Sequence, residues 1–286
     1  MFSLHWSILV LCVVPVVLGN SCDWIDGPKS WRNIGGKKMA QISVGPAGVW
    51  GIKKNAYQVL YRENTYGNDQ NKGDSWRPVG NGFKQVEVGG YNQVFALGKG
   101  GRLIFRQGIS ETNHTGDKWV LVSKTARFRY LSVSPKGHVW LISANNKVVR
   151  MGGANSCVKR FKFIAESINY KSPFVKISAG KSGVWLITKN GRVFFRGHTY
   201  GDPEDLPAKI AYRSIGRFPM KDISSGNTVY AIKANNDVVY RFGVTPQRPF
   251  GTAWKTIPGK LVQLDTMALS VWGIGIDNTP YAKATE

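Results

Sequence analysis

One phrase that returns at a fixed distance narrows the fold more than any other feature of this chain. Residues 48–52 read GVWGI, followed by QVFAL (93–97), HVWLI (138–142), GVWLI (183–187), TVYAI (228–232) and SVWGI (270–274). The aromatic falls at Trp50, Phe95, Trp140, Trp185, Tyr230 and Trp272, in steps of 45, 45, 45, 45 and 42 residues. Three other phrases keep the same beat. Each unit opens with a WRNI-like phrase near 31, 76, 119, 161, 212 and 254, carries an ISVG-like phrase before the aromatic, and a VLYR-like phrase after it.

A period near 45 suits paired helices or a four-stranded propeller blade, and local chemistry decides between them. The phrases are four or five residues long and rich in Val, Ile, Phe, Tyr and Trp, with no sustained helical spacing of apolar residues. Between the third and fourth phrases lie KNGR, ANNK, GGR or ANND, whose Asn and Gly tolerate the positive φ of a tight hairpin. The expected fold is therefore all-β, a six-bladed β-propeller of four-stranded antiparallel blades. Closing the ring removes exposed sheet edges. The six recurring aromatics are expected to pack between blades rather than touch a ligand.

Residues 1–19 carry an apolar stretch from Ile8 to Leu18 and no Lys, Arg, Asp or Glu, which reads as a signal peptide rather than a membrane span. A secreted protein beginning near Asn20 is expected, with a single propeller domain over 20–286 and no membrane span. Beyond the leader only Cys22 and Cys157 remain. They are candidates for a disulfide, either within one chain, if the amino-terminal tail lies across the ring, or between two chains in a homodimer. Asn113-His114-Thr115 is a glycosylation sequon in an inter-blade loop.

Motifs with catalytic overtones do not hold together. SAGKSG at 178–183 lacks the first Gly of a phosphate-cradling loop, Val175 standing in its place, and GKGG at 98 has Leu103 where a dinucleotide fingerprint needs its third Gly. His114, His138 and His198 sit in no catalytic or metal-ligand spacing, and each reads as a solvated loop or turn residue. The acid cluster Asp202, Glu204 and Asp205 reads as a solvated turn. No cofactor, no metal and no enzymatic activity are expected.

Residues 241–261, RFGVTPQRPFGTAWKTIPGKL, carry a family resemblance. The stretch resembles the tectonin-repeat lectins, recognised by a GVTxxxPxGTxW linker and then PGxL, ISVG, VWGV and VYxR elements. Gly243, Val244, Thr245, Pro249, Gly251, Thr252 and Trp254 match the linker, and later elements echo through all units. Only this linker is complete, and the last unit has LDTM in place of ISVG. The resemblance implies a six-bladed lectin like the tachylectin and fish-egg lectin group, recognising bacterial lipopolysaccharide and related surface sugars in innate defence. The alternative is an egg or body-fluid structural glycan-binding protein without a defence role, with a propeller glycosidase behind both.

Charge bears on partners. The chain holds 39 Lys and Arg against 17 Asp and Glu, a net +22. On four-stranded blades one rim collects 17 cations, among them Lys53, Lys54, Arg102 and Arg192, against Glu166, Asp237 and Asp277; the other rim has eight of each sign. Anionic glycans are the expected partners, and nucleic acid is not expected as the main role. A further cation ends each unit's last strand: Arg62, Arg106, Arg150, Arg196, Arg241 and Lys283. With Trp31, Trp76, Trp119 and Trp254 they form two readings, structural bridges to backbone carbonyls or a repeated set of sugar anchors.

Overall fold

The computed structural model describes residues 30–152, 162–166, 170–207, 211–216, 218–267 and 269–285. The expected leader, Cys22, Cys157 and Arg217 lie outside these residues. The chain begins with β1 (Arg32–Asn33), then β2 (Met39–Gly45), β3 (Gly48–Lys53), β4 (Gln58–Arg62) and β5 (Trp76–Asn81). There follow β6 (Phe83–Val88), β7 (Val94–Gly98), β8 (Leu103–Gln107), β9 (Lys118–Leu121), β10 (Phe128–Val133), β11 (Val139–Ser143), β12 (Val148–Gly152) and β13 (Lys162–Ala165). The chain continues through β14 (Phe174–Gly180), β15 (Gly183–Thr188), β16 (Val193–Arg196), β17 (Tyr212–Ile215), β18 (Met220–Ser225), β19 (Val229–Lys233) and β20 (Asp237–Phe242). It ends with β21 (Ala253–Thr266), β22 (Ser270–Gly275) and β23 (Pro280–Ala284).

These strands make an all-β propeller of four-stranded antiparallel blades. The expectation of six separate sheets is corrected: four are separate, β2–β5, β6–β9, β10–β13 and β14–β17, and the rest form one seven-stranded sheet, β1-β23-β22-β21-β20-β19-β18. The physical reason lies in β21. Its first half, Ala253–Ile257, pairs with β20 and its second half, Leu261–Thr266, with β22. Lys260 still pairs with Asp237, so Pro258 and Gly259 form only a bulge in that ladder, and the strand runs on from one partner to the other without a break. The blades are also out of phase with the sequence units. Each opening phrase forms the outer strand of the blade before it, as β5 pairs with β4, and β1 pairs with β23 to join the first described strand to the last sheet.

All six recurring aromatics are buried. Each shares a cluster with an aliphatic residue of the next inner strand: Trp50 with Val86, Phe95 with Leu131, Trp140 with Ile177, Trp185 with Ile223, Tyr230 with Leu264, Trp272 with Ile42. The last pair closes the circle. Burial of a large side chain contributes roughly 1.5–3 kcal/mol each, so this girdle helps to hold neighbouring blades together.

Around the axis, β2, β6, β10, β14, β18 and β21 contact one another in cyclic order. Their inward edges would leave backbone N–H groups unpaired, which a buried site does not tolerate. Side chains of the neighbouring inner strand meet that need. Gln41 accepts from the Val86 amide (3.0 Å) and donates to its carbonyl (2.7 Å); Gln85 does the same to Leu131 and Gln263 to Ile42. One layer deeper, the hydroxyls of Ser43, Ser132, Ser178 and Ser224 accept from the amides of Val88, Ala179, Ser225 and Thr266.

Candidate functional site

The cations that end each unit's last strand are turned inward. Arg62, Arg106, Arg196, Arg241 and Lys283 are buried and Arg150 is half-buried. Arg62 donates to the carbonyls of Lys72 (2.8 Å) and Gly73 (3.1 Å), Arg106 to those of Thr115 (2.6 Å) and Gly116 (3.1 Å), and Arg241 to that of Phe250 (2.8 Å). Each guanidinium carbon also lies over the indole that opens the outer strand, 5.3 Å from Trp76 and 5.2 Å from both Trp119 and Trp254.

The linker sequence explains this geometry. Gly73, Gly116 and Gly251, each three residues before its Trp, have φ of 61°, 63° and 63°. A Cβ there would stand 2.4, 2.5 and 2.6 Å from the carbonyl oxygens of Glu63, Gln107 and Phe242. Only Gly meets both demands, and the turn it makes aims linker carbonyls at the arginine fork. Of the two readings of these cations, the bridge to backbone carbonyls is the geometry seen at Arg62, Arg106 and Arg241, which fix their linkers as staples. Burial and two carbonyl hydrogen bonds each turn Arg62 and Arg106 away from solvent. Trp31 likewise donates to the Pro258 carbonyl (2.6 Å), capping the middle of β21.

In the β14–β17 blade the staple is ionic. Arg196 lies 2.8 Å and Arg150 3.0 Å from the two oxygens of Glu166, and Arg196 sits over Trp140 at 5.3 Å. Glu166, read from sequence as a rim acid, is buried between these two arginines. The basic rim thereby loses one of its few acids.

The rim formed by the β3–β4, β7–β8, β11–β12, β15–β16 and β19–β20 turns, with the connections from outer to inner strands, is strongly cationic. Lys37, Lys38, Lys54, Lys99, Arg102, Lys124, Lys147, Lys171, Lys189, Arg192 and Lys260 are all exposed there, and Lys53 is half-exposed. The acids that remain are neutralised in place. Asp277 pairs with Lys38 at 3.1 Å and Asp237 pairs with Lys260. Hydrogen bonds from Thr279 and Lys38 hold the Asp277 carboxyl down at about 2.

The opposite rim carries the long linkers and has mixed charge. Between the β16–β17 and β20–β21 linkers a cleft of about 700 Å³ is lined by Tyr200, Pro203, Asp205, Arg213, Pro249 and Phe250. Arg213 lies 3.8 Å over the Phe250 ring. The acid cluster expected to be a solvated turn is only partly so. Asp202 is buried, accepting from the Lys136 amide (2.7 Å) and meeting His138 Nδ1 at 2.7 Å. His114 is stacked on Tyr66, ring centroids 4.4 Å apart, so it too is packed rather than free in a loop. His198, exposed and with φ of 59°, borders the cleft. In the sequon, Asn113 donates to Asp117 (2.8 Å), while Thr115 is buried with its hydroxyl accepting from Arg77 (2.5 Å).

The axis holds titratable groups that sequence reading missed. Lys176 meets Asp222 at 3.0 Å and the Tyr130 hydroxyl at 3.2 Å. Burial disfavours its charge, but Asp222 and Tyr130 more than offset this and raise its pKa. Burial pushes Asp265 up to about 6, against hydrogen bonds from Ser224, Val44 and Ser43. Glu87 is raised by burial and by the charge of Asp265, with Gln85 opposing. The signal for this polar lining lay at two register positions, the residue before each ISVG-like phrase (Gln41, Gln85, Tyr130, Lys176, Asp222 and Gln263) and the second residue of the phrase (Glu87 and Asp265), both too varied to read as a motif. Among the described residues no three His, Cys, Asp or Glu side chains gather as a metal site.

Buried staples, a cationic rim and a linker cleft define a propeller of four-stranded blades with two chemically distinct rims. The Tectonin domain family model matches residues 19–144 and 131–276, and the chain belongs to that family. It is 29% identical over 240 residues to the perivitellin-2 31 kDa subunit of Pomacea maculata, covering 82% of this chain and 80% of that relative. It is 30% identical over 180 residues to a tectonin β-propeller repeat-containing protein of Drosophila melanogaster, covering 57% of this chain and 13% of that much longer protein. Among solved structures, YCF48 from Cyanidioschyzon merolae superposes with a TM-score of 0.52 at 13% identity, covering 85% of this chain and 81% of its own. Virginiamycin B lyase from Staphylococcus aureus superposes with a TM-score of 0.53 at 12% identity, covering 90% and 98%. At such identities these two share the fold alone.

Proposed function

We propose that the chain is a secreted, non-catalytic, multivalent lectin for bacterial surface glycans, lipopolysaccharide foremost, acting in innate defence. In this reading the seven-stranded sheet counts as two blades that share β21, giving six around the axis, and the apolar residues 1–19 direct secretion. The observation that carries it is the charge of one rim, where exposed Lys and Arg from every β3–β4-type turn but two face solvent and Asp237 and Asp277 are already paired. Phosphate and carboxylate groups of bacterial outer sugars are the partners such a face attracts. Membership of the tectonin family favours sugar recognition, and the linker cleft offers aromatic and polar groups in the mixture sugars use. A glycan array on purified protein tests the reading. Binding concentrated on acidic bacterial cores supports it, whereas binding to neutral sugars only, or none, overturns it.

A second reading, a structural glycan-binding subunit of an egg or body-fluid assembly, is favoured by one observation. A relative matched over most of its length is named as a 31 kDa subunit. Size-exclusion chromatography with light scattering on protein from its natural source separates a free lectin from a component of a larger particle.

A further inference from the structure

Six turns of this propeller lead into their strands through a left-handed residue placed two positions before strand pairing begins. In five of them that residue is Gly101, Asn146, Gly191, Asn236 or Asn278, with φ between 64° and 79°. These residue types accept that conformation easily. The β3–β4 turn breaks the rule: it has one residue more and two left-handed residues, Asn55 with φ of 60° and, in the place two before pairing, Tyr57 with φ of 51°. The substitution is not a packing device, because Tyr57 is 47% exposed. Its backbone is locked where it stands, its carbonyl accepting from the Phe83 amide at 2.9 Å. A bulky aromatic held in a strained conformation and left in solvent is the kind of local inconsistency that marks a functional position.

Its surroundings name the ligand chemistry. Tyr57 stands on the cationic rim, and the Lys99 ammonium, from the corresponding turn of the next blade, lies 4.3 Å from its ring centroid. Lys53 and Lys54 belong to the same turn as Tyr57, and Arg102 to the same turn as Lys99. The ammonium lies over one face of the ring, which leaves the exposed remainder of Tyr57 to stack on the C–H face of a sugar while the charge takes an oxyanion. A second exposed ring with an ammonium over it, without the left-handed backbone, stands in the β17–β18 connection at Phe218, 65% exposed, with Lys233 5.7 Å from its ring centroid. We propose that Tyr57 and Lys99 form a stacking platform for a phosphorylated sugar residue, and that Phe218 and Lys233 repeat it elsewhere on the rim. The proposal rests on the lectin reading above and gives that reading a specific site.

The test compares the wild-type protein with Tyr57→Asn and Lys99→Ala, using glucosamine 6-phosphate, N-acetylglucosamine and inorganic phosphate as probes in ligand-observed NMR titrations. Wild type should prefer glucosamine 6-phosphate to either simpler probe by at least about tenfold, since ring and charge act together. Tyr57→Asn installs the residue other turns use, so its thermal midpoint should hold or rise while the preference is lost. Lys99→Ala should weaken the phosphosugar and leave N-acetylglucosamine unchanged. Equal binding of phosphate and phosphosugar by wild type, no binding of the phosphosugar, or unchanged binding by Tyr57→Asn overturns the proposal. A signal confined to vesicles of phosphatidylcholine and phosphatidylserine also overturns it, by assigning the platform to a membrane. If wild type and Tyr57→Asn capture lipopolysaccharide equally well, the site is wrong and the lectin reading stands; if neither captures it, the reading itself falls.

Discussion

The Asp265 carboxylate receives a hydrogen bond from the Ser43 hydroxyl at 2.9 Å, joining the last inner strand, β21, to the first, β2. It also accepts from the Val44 amide at 2.9 Å and the Ser224 hydroxyl at 2.7 Å, so one side chain ties β18, β21 and β2 together. Its pKa is raised from 3.8 to about 6 by burial. A raised acid binds its proton more tightly in the folded than in the unfolded chain. Its favourable contribution is therefore full below about pH 4 and is lost as pH rises through about 6. Asp265→Asn keeps the shape and removes the titration. The difference in thermal midpoint between pH 4 and pH 7 should shift in the variant, which gives up an acid-side advantage of about 1–3 kcal/mol. Calorimetry at the two pH values checks this, and identical pH dependence in both proteins contradicts it.

Gly251→Ala tests the linker geometry. Its φ of 63° costs any L side chain strain, and its Cβ would stand 2.6 Å from the Phe242 carbonyl oxygen. Gly67 has a similar φ of 68° with nothing within 4 Å of a Cβ. Gly67→Ala should cost about 1 kcal/mol for conformation alone, and Gly251→Ala more, about 2–3 kcal/mol. Urea denaturation of both variants separates the steric part from the conformational part.

Much of this was legible from the chain. The 45-residue beat, the short β-branched phrases and the Asn–Gly turns led to strands and blades, because a strand phrase of four residues is visible without knowing what it packs against. Blade phase was not legible, since whether WRPV pairs with the strand before or after it depends on partners remote in sequence. The continuity of β21 was hidden for a related reason: Pro258-Gly259 reads as a turn until pairing on both sides is seen. At the candidate site, the cationic rim followed from topology, whereas the fate of each arginine did not. Arg62 and Lys54 are both basic residues near a strand end, and only tertiary burial tells the staple from the solvated charge. The extra residue of the Tyr57 turn is visible in the sequence, but that Tyr57 takes the left-handed place shows only when the turns are compared by backbone angle.

Arg106→Met keeps most of the buried volume and removes the fork that reaches the Thr115 and Gly116 carbonyls. Losing charge-assisted hydrogen bonds while leaving buried carbonyls unpaired should cost about 2–3 kcal/mol, seen as a lower denaturation midpoint. Because the pair is buried, the loss should be nearly the same at low and high salt. A stability loss that vanishes at high salt would contradict the staple and return Arg106 to the surface.

The central claim, that the cationic rim draws anionic bacterial glycans to this propeller, is tested most directly by the association rate on immobilised lipopolysaccharide. Lys53, Lys54, Arg102 and Arg192 replaced together by Ala leave the staples and the aromatic girdle untouched, so the thermal midpoint should move by only a few degrees. At low ionic strength the account predicts association at least about tenfold slower in this variant than in wild type, with the difference shrinking as salt rises. Equal association rates at low salt, in a variant that remains folded, would contradict it.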